Sequence, residues 1–244
     1  MVQRSKLLTD SEPSPASHTG SKETPSRLQL SETSNGFATT LYLDEASRKL
    51  FLRANPSSST QTKWTLYGMV LENYHQRGIL YHSIGVNGAT FEDFNESEHF
   101  MAQIAELQPD LVIISLGTNE TVNRPFPVQA FYQEVDQLMH GLEQQVPHAE
   151  ILLTTPPDAL RARRYPNSAI SQAQEILLSY SLGNDLACWD LYRIMGGAES
   201  VNAWHQVGLA QGDRLHFTRK GYEFQGALLV EAILNGYGSF RAVK

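Results

Sequence analysis

Between residues 78 and 234 the chain alternates short, uninterrupted apolar runs with longer stretches of helical period, and few architectures can absorb that pattern. The runs are 78–84 (GILYHSI), 111–116 (LVIISL), 151–155 (ILLTT) and 186–191 (LACWDL). A strand with one wet face alternates polar and apolar residues. A strand with little polar face must be covered on both sides, as in a parallel sheet between helices. The intervening stretches supply those helices. Residues 91–107 carry Phe94, Phe100, Ile104 and Leu107 as an inner stripe and end at Pro109-Asp110. Residues 127–146 carry Phe131, Val135, Leu138 and Leu142 at helical spacing. Further helices are predicted over 168–182 and 218–234. The expected fold class is therefore α/β, a parallel sheet with helices on both faces, whose chemistry collects at the carboxyl ends of the strands.

A different grammar precedes this. Residues 1 to about 35 are rich in Ser, Thr, Pro and Glu, which suits loops or edge strands. From residue 36 to 54 the period becomes two: Phe37, Thr39, Leu41 and Leu43 alternate, then Leu50, Leu52 and Ala54. Residues 65–71 (TLYGMVL) read as another strand. The chain is expected to divide into a β-rich segment, 1–63, and an α/β domain, 64–244.

Composition narrows the function. With 19 Lys and Arg against 26 Asp and Glu, the net charge is -7, and no global basic field exists to meet a nucleic-acid backbone. No apolar run approaches the roughly 20 residues needed to span a membrane as a helix. The single cysteine, Cys188, cannot form an intrachain disulfide and reads as a small core residue of a buried strand. His75, His82, His99, His140, His148 and His205 lack metal-ligand spacing, so no metal is assigned. The N-terminal MVQRSKLL has no apolar core and is not a signal peptide.

Three strand ends carry chemistry-bearing residues. In Asp213-Arg214-Leu215-His216 a carboxylate and an imidazole three apart can meet on one side of a turn, where the carboxylate fixes the tautomer and stabilises the imidazolium. The structural alternative is a loop leading into a helix capped by Thr218. In Gly117-Thr118-Asn119-Glu120 the Asn119 amide can donate to a developing oxyanion, or the segment can simply be a tight turn. In Gly85-Val86-Asn87-Gly88-Ala89-Thr90 the glycines allow close backbone approach, and Gly88 N–H is a second candidate donor. Trp204 and His205 could line a pocket or anchor the following loop. Arg161, Arg163, Arg164 and Tyr165 could bind an anionic group or form a solvated loop.

The three blocks in this order, with WTLYGMVLEN, GILYHSIGVNGAT, PDLVIISLGTNE, ILLTTPPD and DRLHFTRKGYEFQG, resemble the SGNH (GDSL-type) hydrolases over residues 65–236. The chain is similar to a Bacteroides-type branch in which a β-rich, carbohydrate-binding-like module is inserted. The resemblance implies a flavodoxin-like sheet and a serine esterase. Its site would comprise His216 as general base, Asp213 as its orienting carboxylate, and Gly88 and Asn119 as the oxyanion hole. The substrate would be an acyl, chiefly acetyl, ester on a small molecule or carbohydrate, with no cofactor. The location would be periplasmic or secreted. Two departures stand out. Glu120 occupies the position where the family has Asp, and the Gly-Asp-Ser block is missing, which leaves the nucleophile unknown. The only Asp-Ser pair, Asp10-Ser11, has just two leucines before it, where an apolar strand is expected, and is followed by Pro13 and Pro15. The expectation is that residues 1–63 are the tail of the inserted module, that the α/β domain lacks its first strand, and that the chain is part of a longer protein. The alternatives are a catalytically incomplete fragment or non-catalytic carbohydrate-binding protein on the same fold, or an acyltransferase using the same site.

Overall fold

A computed structural model describes residues 2–9, 28–29, 38–47, 58–72, 78–122 and 125–243. Contacts divide the chain into two compact units, Met1–Ile84 and Gly85–Lys244.

The first unit is an antiparallel sheet of β1 (Val2–Thr9), β2 (Leu28–Gln29), β3 (Ala38–Ser47) and β4 (Leu66–Glu72) in the order β2-β3-β1-β4. Period-two alternation correctly marks β3 and β4. The polar N-terminal segment, expected as loop or edge, instead supplies an inner strand. Leu7 pairs with Thr39 on one side and Met69 on the other. A ladder partner on each side satisfies that backbone whatever the side-chain pattern. The second alternating run, Leu50, Leu52 and Ala54, lies outside the described residues, as does the Asp10-Ser11 pair.

Residues 79–84 form no strand, contrary to the expectation for GILYHSI. Ile79 is 96% exposed and Tyr81 79% exposed, and among the described residues no strand pairs with the segment. An apolar run becomes a strand only when another strand takes up its N–H and C=O groups.

The second unit is built on a parallel sheet, β5 (Leu111–Ile114), β6 (Glu150–Thr154) and β9 (Ala187–Trp189), in the order β5-β6-β9. Its two faces carry separate cores. On one face, Leu153 and Cys188 pack with Phe91, Ile104, Phe131, Val135, Leu138, Leu142 and Leu177. On the other, Leu152 and Trp189 pack with Leu160, Leu191, Trp204, Phe217, Leu228 and Leu229. Neighbours along one strand thus serve opposite layers, as the pleat requires.

The first layer consists of α1 (Phe91–Glu96), α2 (Phe100–Leu107), α3 (Val128–Gln145) and α4 (Ser168–Gly183). The predicted stripe of α3 is fully buried: Phe131 is 1% exposed, Val135 0%, Leu138 2% and Leu142 1%. Each such side chain contributes about 1.5–3 kcal/mol. The single helix expected over 91–107 is broken at Ser97, whose backbone is extended. Phe94 and Phe100 still meet across the break, edge to face, with centroids 4.9 Å apart. On the other side of the sheet lie α5 (Leu191–Met195), α6 (Ser200–Gln206) and α7 (Arg219–Val243). No described helix is long and apolar enough to cross a membrane.

Candidate active site

The loop before α7 is tied down before any chemistry is considered. Gln211 N–H donates to His216 O at 2.8 Å, and Ala210 bridges to Phe217. The Gln211 side chain donates to Phe217 O at 2.9 Å. Phe217 is buried and stacks on Trp204 with centroids 5.0 Å apart. Thr218 Oγ1 accepts from Gly221 N–H at 3.1 Å and donates to Gly208 O at 2.8 Å, so the predicted cap is present. Helix α7 approaches this loop closely, because a Cβ on Gly221 would collide with the Leu209 carbonyl.

On this frame Asp213 Oδ2 meets His216 Nδ1 at 2.8 Å, and Asp213 Oδ1 accepts from the N–H groups of Leu215 and His216, both at 3.0 Å. Burial raises the Asp213 pKa. The hydrogen bonds from His216, Leu215 N–H and His216 N–H outweigh it and hold the carboxyl down to about 2. The carboxylate is therefore ionised and fixed by three donors. The imidazole is anchored through Nδ1, with its side chain 54% exposed, and His216 Nε2 has no hydrogen-bond partner among the described residues. An imidazole so oriented can accept and return a proton at Nε2.

The second cluster lies where β5 ends. Gly117 adopts φ +106, a conformation that side chains rarely take, and a Cβ there would be in ordinary contact with Pro156 at 3.5 Å. The chain then turns through Asn119 into a 3₁₀ turn, Glu120–Val122. Asn119 Nδ2 donates to Ala89 O at 2.8 Å, and Glu120 Oε1 accepts from Phe91 N–H at 2.8 Å. Two consecutive side chains thereby fasten the 88–91 segment to the end of β5. Glu120 is 5% exposed, and its Oε2 is buried with no well-formed hydrogen bond among the described residues, although the backbone N–H groups of Glu120 and Gly117 act on the carboxyl. Burial pushes its carboxyl upward. Gly88 takes φ +83, a conformation natural to glycine, and its N–H makes no hydrogen bond to the described residues. Asn119 Nδ2 keeps a second amide hydrogen beyond the one given to Ala89 O.

Of the four residues singled out from sequence, the structure thus joins Asp213 with His216, and Asn119 with the segment carrying Gly88. Among the described residues no hydrogen bond links the two pairs directly. The chain from Pro156 to Leu160 connects their frames: Pro156 packs on Gly117, and Leu160 N–H donates to Arg214 O at 2.9 Å. Trp204 is 7% exposed within the second core, and His205 Nδ1 lies 2.9 Å from Ala210 O; both anchor the loop. Glu120 was seen in the sequence only as a departure from Asp. Its grip on Phe91, 29 residues away, has no local signature. Among the described residues no group of His, Cys, Asp or Glu is arranged to hold a metal ion.

Known proteins were compared with this geometry. A peptidoglycan O-acetylesterase structure superposes with a TM-score of 0.74 at 20% identity, covering 98% of this chain and 66% of that one. An acetyl xylan esterase gives a TM-score of 0.50 at 17% identity, covering 61% and 78%. A lipase/acylhydrolase from Enterococcus faecalis gives 0.47 at 27% identity, covering 60% and 71%. The chain spans less than two thirds of the length of the O-acetylesterase, and likeness at 20% identity speaks for fold alone. No curated protein matches by sequence. The GDSL-like lipase/acylhydrolase family model matches residues 54–224, most of the chain, and with the α/β sheet and its strand-end clusters in place the protein belongs to that family.

Proposed function

We propose that the protein hydrolyses an acyl ester, an acetyl group on a carbohydrate, by serine-esterase chemistry at an exported location. The observation that carries this reading is the Asp213–His216 pair. A carboxylate held by three hydrogen bonds fixes an imidazole whose Nε2 remains open. A binding protein gains little from an oriented imidazole.

In this mechanism His216 Nε2 takes the proton of a serine hydroxyl as its oxygen attacks the ester carbonyl. Asp213 stabilises the imidazolium so formed. The tetrahedral oxyanion lies against Gly88 N–H and the Asn119 amide. Collapse expels the alcohol, which takes its proton from His216, and water then releases the acyl group by the same steps. The nucleophile is not assigned among the described residues, and Ser11 falls outside them. The peptidoglycan and xylan acetylesterases of the same fold support the carbohydrate acetyl reading.

The test is turnover of a chromogenic acetate ester by the chain and its His216→Ala variant, with a fluorophosphonate probe to label the serine. The expected result is activity that falls by about 10³-fold or more in the variant, with one labelled serine. Equal rates in both proteins, or no turnover by either, would overturn the reading.

A further inference from the structure

The β7–β8 hairpin follows β6 at the carboxyl end of the sheet: β7 is Leu160–Arg161, β8 is Tyr165–Pro166, and residues 162–164 form the turn. Its base is locked to the acid–base loop. Leu160 is 8% exposed in the same core as Phe217, and its N–H binds the carbonyl of Arg214, between Asp213 and His216. Arg161 is the next residue.

Three cations stand on this hairpin: Arg161, Arg163 and Arg164. Among the described residues none of them forms an ion pair with a carboxylate. Arg214, by contrast, folds back onto Asn202 Oδ1, Gln211 O and Gly212 O. Arg161 Nη1 is buried without an acceptor among the described residues, and a buried charged donor left unpaired is costly. The guanidinium groups of Arg161 and Arg164 lie 5.8 and 5.9 Å from the Tyr165 ring centroid, which places both beside one aromatic ring. Ala162 and Arg163 hold positive φ without being glycine, at 48° and 63°. That strain accompanies a turn in which the arginines gather.

We propose that this hairpin binds an anionic group, a carboxylate or phosphate, on the molecule that carries the ester, so that the preferred substrate is an acyl ester on an acidic polymer. The inference rests on the esterase reading for its substrate, but the anion site can be tested without turnover. A guanidinium presents paired N–H donors that match the oxygens of either group.

The first measurement is calorimetric titration of the chain at low salt with tetragalacturonate, inorganic phosphate and neutral xylotetraose. At least one anion should bind about tenfold or more tighter than the neutral sugar, and salt should weaken it. Which anion binds identifies the source. The Arg161→Gln/Arg164→Gln variant should lose about tenfold or more of that affinity. Arg163→Gln/Arg164→Gln, which alters only exposed residues, serves if the first variant fails to fold. The second measurement is the ratio of kcat/KM for an acetylated oligogalacturonate to that for an acetylated xylo-oligosaccharide, which should fall in the same variants. No preference for either anion over xylotetraose, or unaltered binding in the arginine variants, would overturn the inference. Anion binding lost in the variants but with no ester turnover by the wild type would leave the site standing and sink the esterase reading instead.

Discussion

Replacing Glu120 by alanine and by glutamine separates two roles of one side chain. Its Oε1 accepts the Phe91 N–H at 2.8 Å, and its other oxygen is buried without a well-formed hydrogen bond among the described residues. Alanine leaves that N–H without its acceptor, which costs about 1–3 kcal/mol, and removes about 1–2 kcal/mol of packed side chain. Relief of a desolvated carboxyl offsets part of this, for an expected net loss of about 2–3 kcal/mol. Glutamine keeps an acceptor for Phe91 and carries no charge, so it should lie within about 1 kcal/mol of wild type. The pH dependence follows from burial, which raises the carboxyl above its ordinary 4.5. The folded chain then holds that proton more tightly than the unfolded chain does. The contribution of Glu120 is fullest below the unfolded value and declines as pH rises through the folded one, so the glutamine variant should gain on wild type over that interval. Urea unfolding at about pH 4 and about pH 7 reads this directly. Turnover of an acetate ester should fall in the alanine variant, by at most the 10²–10³ of a lost oxyanion donor, and be largely restored by glutamine. If glutamine destabilises as much as alanine at neutral pH, Glu120 does not act by accepting from Phe91.

Three other outcomes are expected. Asn119→Ala should lower kcat for an acetate ester by about 10²–10³-fold with little change in KM, read from steady-state kinetics. Asp213 sits near 2 in the folded chain, so its stabilising contribution, complete above the unfolded value near 4, should disappear as pH falls from about 4 to 2. Acid unfolding curves of Asp213→Asn should lack that component. Gly221→Ala should destabilise by about 2 kcal/mol or more in urea unfolding, because the new methyl meets the Leu209 carbonyl, which is backbone and not free to swing away.

The parts of the fold legible in the sequence are those whose cause is local. The α3 stripe announces itself through 3.6-residue spacing, and the ILLTT run through its lack of a wet face. LVIISL does form β5, but Leu111 and Ile113 are exposed, so the expected cover on both sides is not met there. Asp213 and His216 are three apart in one loop, so their contact could be anticipated from spacing alone. What was illegible depends on distant partners. β1 is an inner strand because β3 and β4 flank it, and its sequence carries no trace of them. Residues 79–84 have strand composition but no ladder. The β7–β8 turn puts Ala162 and Arg163 at positive φ with none of the glycine or asparagine that would have flagged it. Glu120 gave no sign of its partner because Phe91 lies 29 positions upstream.

Leu152 and Leu153 are adjacent on the central strand, yet one serves each core. β6 cannot leave its place without opening both cores, which couples the two layers. The amides of β6 are therefore expected to be among the slowest of the second unit to exchange with solvent.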